Sequence, residues 1–216
     1  MIRLHHCPQT RSMRSLWLLH ELGLDFEVVA YPFDKTLREE PYRSLNPTGR
    51  VPTLEIDDVV LTESGAIAEY LCERFPLAGL GRDPSHAERP MWLNWIHFAE
   101  TISQHCAALT QQHIALYDDH MRSPVIMQLE AKRLARTLAT VEQGLQDAYL
   151  LSEFSAADIG VGQAVYMAQH FVTLDALPRV AAWFARLAAR EGYQCALPDE
   201  PVLYARDFYP PWEVTV

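Results

Sequence analysis

The chain of 216 residues contains no apolar run approaching the roughly 18 residues that a membrane-crossing helix requires, so no spanning segment is expected. Its opening stretch, Met1 to His6, lacks the apolar core of about seven residues or more that a secretory signal carries, and export by that route is not expected. Cysteine is scarce and scattered: Cys7, Cys72, Cys106 and Cys195 form no C-x-x-C pair. That spacing excludes a zinc ribbon and a disulfide framework, and it points to a reducing cytoplasm. Basic residues are in deficit, 18 against 28 acidic ones, for a net charge of −10. No broad positive surface is left to neutralise a phosphate backbone or an anionic bilayer, so nucleic acid and membrane are excluded as expected partners. Internal repeats and low-complexity stretches are missing too. What remains is ordinary for a folded protein, with 49% apolar and 21% charged residues, in a chain long enough for one large or two small domains.

Periodicity divides the chain in two. Ile2 to His6 reads as a strand, Arg11 to Leu22 as a helix with apolar Met13, Leu16, Trp17, Leu19 and Leu22, and Gly23 as its stop. Phe26 to Tyr31 and Val51 to Glu55 are further strands, Asp34 to Leu45 is weakly helical, and Asp57-Asp58 turns a hairpin into Val59 to Leu61. Ser64 to Phe75 is a helix ended by Pro76. Beyond the Gly- and Pro-dense stretch 79–85 every pattern is helical. Ser85 and Glu88 are spaced as a capping box for a helix running to about Tyr117, Ser123-Pro124 opens a second with a stripe at Leu134, Leu138, Val141 and Leu145, and Ser155 and Asp158 open a third. Pro178 to Arg190 forms a fourth, stopped by Gly192. The expected fold class is therefore α/β followed by all-α. A mixed four-stranded sheet with helices occupies 1–78, a linker 79–85, and a helical bundle 86–216.

Two passages carry chemistry. Asn46 to Leu54 places Pro52 directly before a short strand, where an X-Pro bond is a candidate for the cis isomer. Such a bond would turn the backbone of Val51 outward to pair with a peptide-like ligand, as an added strand does; the alternative is an edge-strand proline in an ordinary turn. Glu63-Ser64 stands at a helix start, where the dipole and free N–H groups favour an anion and Glu63 can accept from an ammonium; the alternative is that Ser64 caps its own helix. His5 and His6 alternate faces on a strand and cannot share an ion, so no metal is expected. His97, His105, Trp92 and Trp95 are read as packing or interface residues.

Five blocks in order, Arg14 to Leu24, Asn46 to Pro52, Thr62 to Ile67, Trp95 to Glu100 and Phe154 to Ile159, resemble the cytosolic glutathione transferases in their bacterial style. The resemblance implies a thioredoxin-like first domain that binds glutathione as co-substrate, with no metal, and a helical second domain that holds a small electrophile. It also implies a homodimer. Val51 would pair with the cysteinyl backbone of glutathione, Pro52 would be the cis residue, Glu63 and Ser64 would hold the γ-glutamyl end, and Arg50 would reach the glycine carboxylate. Ser155 and Asp158 match the family's buried capping box. The acceptor pocket would fall on Gln104, His105, Ala108 and Tyr117, with Phe208, Tyr209 and Trp212 as a lid.

The thiol-activating position stays open among Thr10, Ser12 and Cys7. No tyrosine precedes residue 31, which sets aside the tyrosine-using classes. The resemblance favours Thr10, which best matches the distance before Gly23 at which serine-type members of the family place their hydroxyl; that hydroxyl would donate to the glutathione thiolate or else cap the first helix. Cys7-Pro8 also resembles the Cys-Pro segment of glutaredoxins and cysteine-type transferases, which makes a Cys7-dependent thiol-disulfide reductase one alternative and a non-catalytic interaction protein of the same fold another. Isomerase and lyase variants share the pattern, because fold does not decide chemistry.

Overall fold

A computed structural model describes residues 1–204 and 206–210. Ile2–His6 forms β1, an alternating stretch whose Leu4 is fully buried. The chain returns through helix α1, Met13–Glu21, to β2, Glu27–Ala30, parallel to β1. A 3-10 turn and the short α2, Tyr42–Leu45, lead to β3, Thr53–Ile56, and β4, Val59–Leu61, so that the sheet order is β2-β1-β3-β4 with β3 antiparallel to both neighbours. Helix α3, Ser64–Arg74, closes this half, and Gly23, at φ +63°, ends α1 in the left-handed backbone that a glycine adopts without penalty.

Among the described residues only helices follow: α4, Arg89–Thr110; α5, Pro124–Gly144; α6, Ala156–Ala168; α7, Pro178–Ala188; and α8, Glu191–Ala196. The stripe Leu134, Leu138, Val141 and Leu145 is buried, and Ser123 accepts the Ile126 N–H at the start of α5 as its spacing predicts. Helix α6 is buried on nearly every side, and at Gly162 a Cβ would come within 2.7 Å of Leu187 Cδ1. A side chain at that position would have to displace Leu187, with the Trp17 ring only 3.3 Å away. Trp17 itself donates to Glu21 at 2.9 Å, and Glu21 receives a two-pronged contact from Arg190, which lies 3.6 Å over the Phe154 ring. Helix α1 thus carries the sheet on one side and the helical bundle on the other. No helix among the described residues is long and apolar enough to cross a membrane.

Three local expectations are corrected. Ser85 and Glu88 form no capping box: Ser85 bonds to Asp83, while Glu88 is taken by Arg82 and the Ser152 N–H, both at 2.9 Å. The long helix ends at Thr110 and passes into a π-helical turn, Gln111–Ala115, short of Tyr117. Gly192 lies inside α8. The break before that helix is at Arg190, whose backbone is extended where its guanidinium reaches Glu21.

Candidate functional site at one end of the sheet

The strand directions gather three loops at one edge. In the β1–β3 register His5 faces Thr53 and the strands run oppositely, so continuing it brings Val51 level with Cys7 just beyond the end of β1. Strand β4 ends on the same side, since Leu61 pairs with Leu54, and it runs directly into Thr62, Glu63 and Ser64.

The first loop, Cys7 to Ser12, is tightly self-bonded. Ser12 Oγ accepts the Cys7 N–H at 3.1 Å and meets His6 Nδ1 at 2.8 Å, and the residue is wholly buried. Cys7 is also wholly buried, and burial, reinforced by Asp34, pushes its thiol up to about 11. A thiol held there is a poor nucleophile, because the thiolate is the reactive form. Thr10 alone of the three candidates is only half-buried; its Oγ1 donates to the Cys7 carbonyl at 2.7 Å and lies 2.9 Å from Ser12 Oγ. The helix itself has no side-chain cap, since the Ser12 hydroxyl turns back to Cys7 and His6.

His6 is held neutral, its pKa lowered to about 4 chiefly by burial. Its folded value lies below its unfolded value near 6.5, so the unfolded chain gains the proton first and stability falls as pH drops from about 6.5 to about 4, by about 3 kcal/mol at the limit. His113, lowered to about 4 by burial with help from Arg122 and Arg206, adds to the same loss. Urea unfolding between pH 7.5 and 4.5 is expected to show this decline, and His6→Asn to flatten it by roughly half; an unchanged slope in the variant would exclude His6 as a source.

The second loop is built by Asn46, whose side chain donates to the Arg50 carbonyl at 2.8 Å and to Thr53 Oγ1 at 3.0 Å while accepting from Thr48. Tyr42 also donates to the Arg50 carbonyl and lies 2.7 Å from Thr53 Oγ1. Val51-Pro52 is cis, and Val51 is half-buried with Arg50 exposed beside it.

In the third loop Glu63 is exposed and Ser64 buried. Ser64 does not cap α3: its Oγ accepts from Arg14 Nη1 at 3.2 Å. Arg14 is buried between the two halves of the molecule. It donates also to Gln163 Oε1 at 2.9 Å, to the Ala99 carbonyl, to Ser103 and to Glu100, which Arg11 approaches from the other side at 3.0 Å. Gln163 in turn donates to the Thr10 carbonyl at 3.3 Å. Thr10 and Ser64 are therefore joined through Gln163 and Arg14.

The four expected acceptor residues are not brought into one wall. Gln104 is exposed one turn beyond Glu100, Ala108 is half-buried, and Tyr117 is 88% exposed past the π-helical turn. His105 is turned onto α5, where it meets Glu130 at 2.6 Å. Of the expected lid, Phe208 packs 4.8 Å from the His113 ring and Tyr209 bonds to the Gln169 carbonyl, while Trp212 lies outside the described residues. Sequence reasoning passed over Gln9, Arg14, Gln163 and Tyr166 as functional residues. The available signal was an amide side chain inside an otherwise apolar helical stretch, at Gln163.

Comparisons with known proteins agree on one family. The family model described as glutathione S-transferase, N-terminal domain, matches residues 1–73, and that for the C-terminal domain matches 107–186. A glutathione S-transferase-like protein, OpS6, of Beauveria bassiana is 30% identical over 182 residues, covering 80% of this chain and 83% of that one. Among solved structures, a glutathione S-transferase from Xylella fastidiosa superposes with a TM-score of 0.82 at 27% identity, covering 91% and 97% of the two chains. The theta class glutathione S-transferase from Xanthomonas axonopodis pv. citri, solved with glutathione bound, gives 0.79 at 27% identity, covering 91% and 96%.

Proposed function

The chain belongs to the glutathione S-transferase family, and from that premise we propose that it binds glutathione across the three loops and joins it through its sulfur to a largely apolar electrophile. The observation that carries this reading is the position of Thr10: of the loop's three candidate residues only Thr10 is not wholly buried, and it stands just before the positive end of α1. The Oγ1–H rests on the Cys7 carbonyl, and rotation about Cβ–Oγ can turn it to a thiolate. Val51 offers its backbone to the cysteinyl unit. Ser64 Oγ already accepts from Arg14, so its own proton is available to the γ-glutamyl carboxylate, and the exposed Glu63 suits the ammonium beside it. Arg50 reaches for the glycine carboxylate.

In the transfer the glutathione sulfur forms a bond to an electrophilic carbon. In substitution the leaving group departs with its electron pair; in addition the displaced pair takes up a proton from water. Positioning and thiolate stabilisation do the catalytic work. A second copy of the chain is the partner in the same reading. The Cys7-dependent alternative is not favoured, given a buried thiol pushed up to about 11.

A hydrogen bond to a charged group contributes about 1.5–3 kcal/mol, which corresponds to about one to two pKa units. Thr10→Val is therefore expected to raise the pKa of bound glutathione by that amount while leaving its affinity, by calorimetry, nearly unchanged. Thiolate absorbance titration of the wild type, Thr10→Val, Ser12→Ala and Cys7→Ala checks this. A shift lost only in Cys7→Ala, or no shift in the wild type, would refute the assignment.

A further inference from the structure

Gln9 makes a contact that the transfer chemistry above does not use. Its side-chain oxygen accepts three successive backbone N–H groups, from Val202 at 2.8 Å, Leu203 at 2.7 Å and Tyr204 at 3.1 Å. Its side-chain nitrogen donates to the Tyr166 hydroxyl on α6 at 3.0 Å, and the residue is 3% exposed. An amide oxygen has two lone pairs, so three donors saturate it. The segment so held continues across the helical half. Tyr204 lies 2.7 Å by its hydroxyl from Thr110 on α4 and stacks on His170 at 4.6 Å, and the Phe208 N–H bonds to the His170 carbonyl. Phe208 then rests against His113 and Phe171. One side chain, immediately before Thr10, thus fastens a segment more than 190 residues away over the ends of α4 and α6.

We propose that Gln9 is a positioning residue for acceptor selectivity: it fixes residues 202–204, and through them 206–209, as one wall of the acceptor site, at the place where the glutathione sulfur would lie. This rests on the glutathione-transfer reading above. Gln9 itself touches neither the sulfur nor the acceptor. The half-buried Leu203 and Phe208 supply the apolar surface, and its placement depends on the Gln9 oxygen. Loss of that oxygen leaves three N–H groups to be satisfied by water, which lets the segment lift without disturbing Val51, Glu63 or Ser64.

The test uses Gln9→Met, which keeps the volume and removes the acceptor, and Gln9→Glu, which keeps an oxygen and guards against a folding failure of the first. Amide hydrogen exchange at Val202, Leu203 and Tyr204 is expected to show protection in the wild type and Gln9→Glu and at least about a tenfold loss in Gln9→Met. Calorimetry with S-methyl- and S-hexylglutathione reads the acceptor side without catalysis. In Gln9→Met the preference for the hexyl compound is expected to fall about fivefold, with glutathione affinity changing by less than about twofold. Equal exchange in wild type and Gln9→Met, or an unaltered hexyl preference once the amides are released, would overturn the inference alone. Absence of glutathione binding by the wild type would instead sink the function on which it rests, and the selectivity role with it.

Discussion

Arg14→Met is expected to destabilise the folded protein by about 3–5 kcal/mol, the usual cost of removing one partner from a buried, hydrogen-bonded charge cluster. Methionine fills the volume yet leaves Gln163 Oε1, the Ala99 carbonyl and the hydroxyls of Ser64 and Ser103 without their donor. Glu100 keeps Arg11 at 3.0 Å, so the carboxylate is not stranded and the lower part of the range applies if it swings outward. Burial lowers the Arg14 pKa while Glu100 opposes the shift, a balance that holds only as long as both stay in place. Urea unfolding gives the number directly: at a slope of about 2 kcal/mol/M the midpoint should drop by about 2 M. The second consequence is functional. Ser64 loses the contact that orients its hydroxyl, and glutathione affinity should fall about tenfold, or about 1.4 kcal/mol. A variant with a midpoint within about 0.5 M of wild type would show that the cluster contributes little.

Asp158→Ala should be equally damaging, with an expected loss of about 3–5 kcal/mol, because several buried donors lose their acceptor at once. One carboxylate oxygen takes the Leu150 N–H at 3.0 Å and the Trp183 indole N–H at 2.9 Å; the other takes the Ser155 N–H at 3.0 Å. Ser155 completes a reciprocal capping box at the start of α6 by accepting the Ala157 N–H. The carboxylate thus ties α6 to the preceding loop and to α7, inside a helix buried on nearly every side. Thermal or urea unfolding will show the loss, and Ser155→Ala, which removes only the hydroxyl of the box, should cost about 1 kcal/mol. If the two variants are equally stable, Asp158 acts as a cap alone and the links to Leu150 and Trp183 contribute nothing.

These two residues show how differently function and stability can be read from a chain. Asp158 was legible because a capping box is written in adjacent positions, and its partner Ser155 lies three residues away. The same spacing misled at Ser85 and Glu88, where Arg82 and a loop N–H from Ser152 compete successfully for the carboxylate. His105 shows a second limit. The long helix was legible from its period, but whether a given residue on it faces the other half of the molecule or a neighbouring helix depends on how the helix is rolled, and packing on α5 turned His105 to Glu130.

By itself the sequence determined the order of strands and helices as far as α7, the proline turn before β3, the caps of α5 and α6, and the family blocks, all of which depend on residues close together in the chain. Tertiary structure alone decided the rest. It buried Cys7 and Ser12 and left Thr10 half-exposed, moved Ser64 from capping to a bond with Arg14, and set the Gln9 oxygen beneath three amides of the distant tail. The physical reason is that burial and the choice of hydrogen-bond partner are properties of surfaces brought together. A side chain's local propensity does not say which distant donor will reach it first.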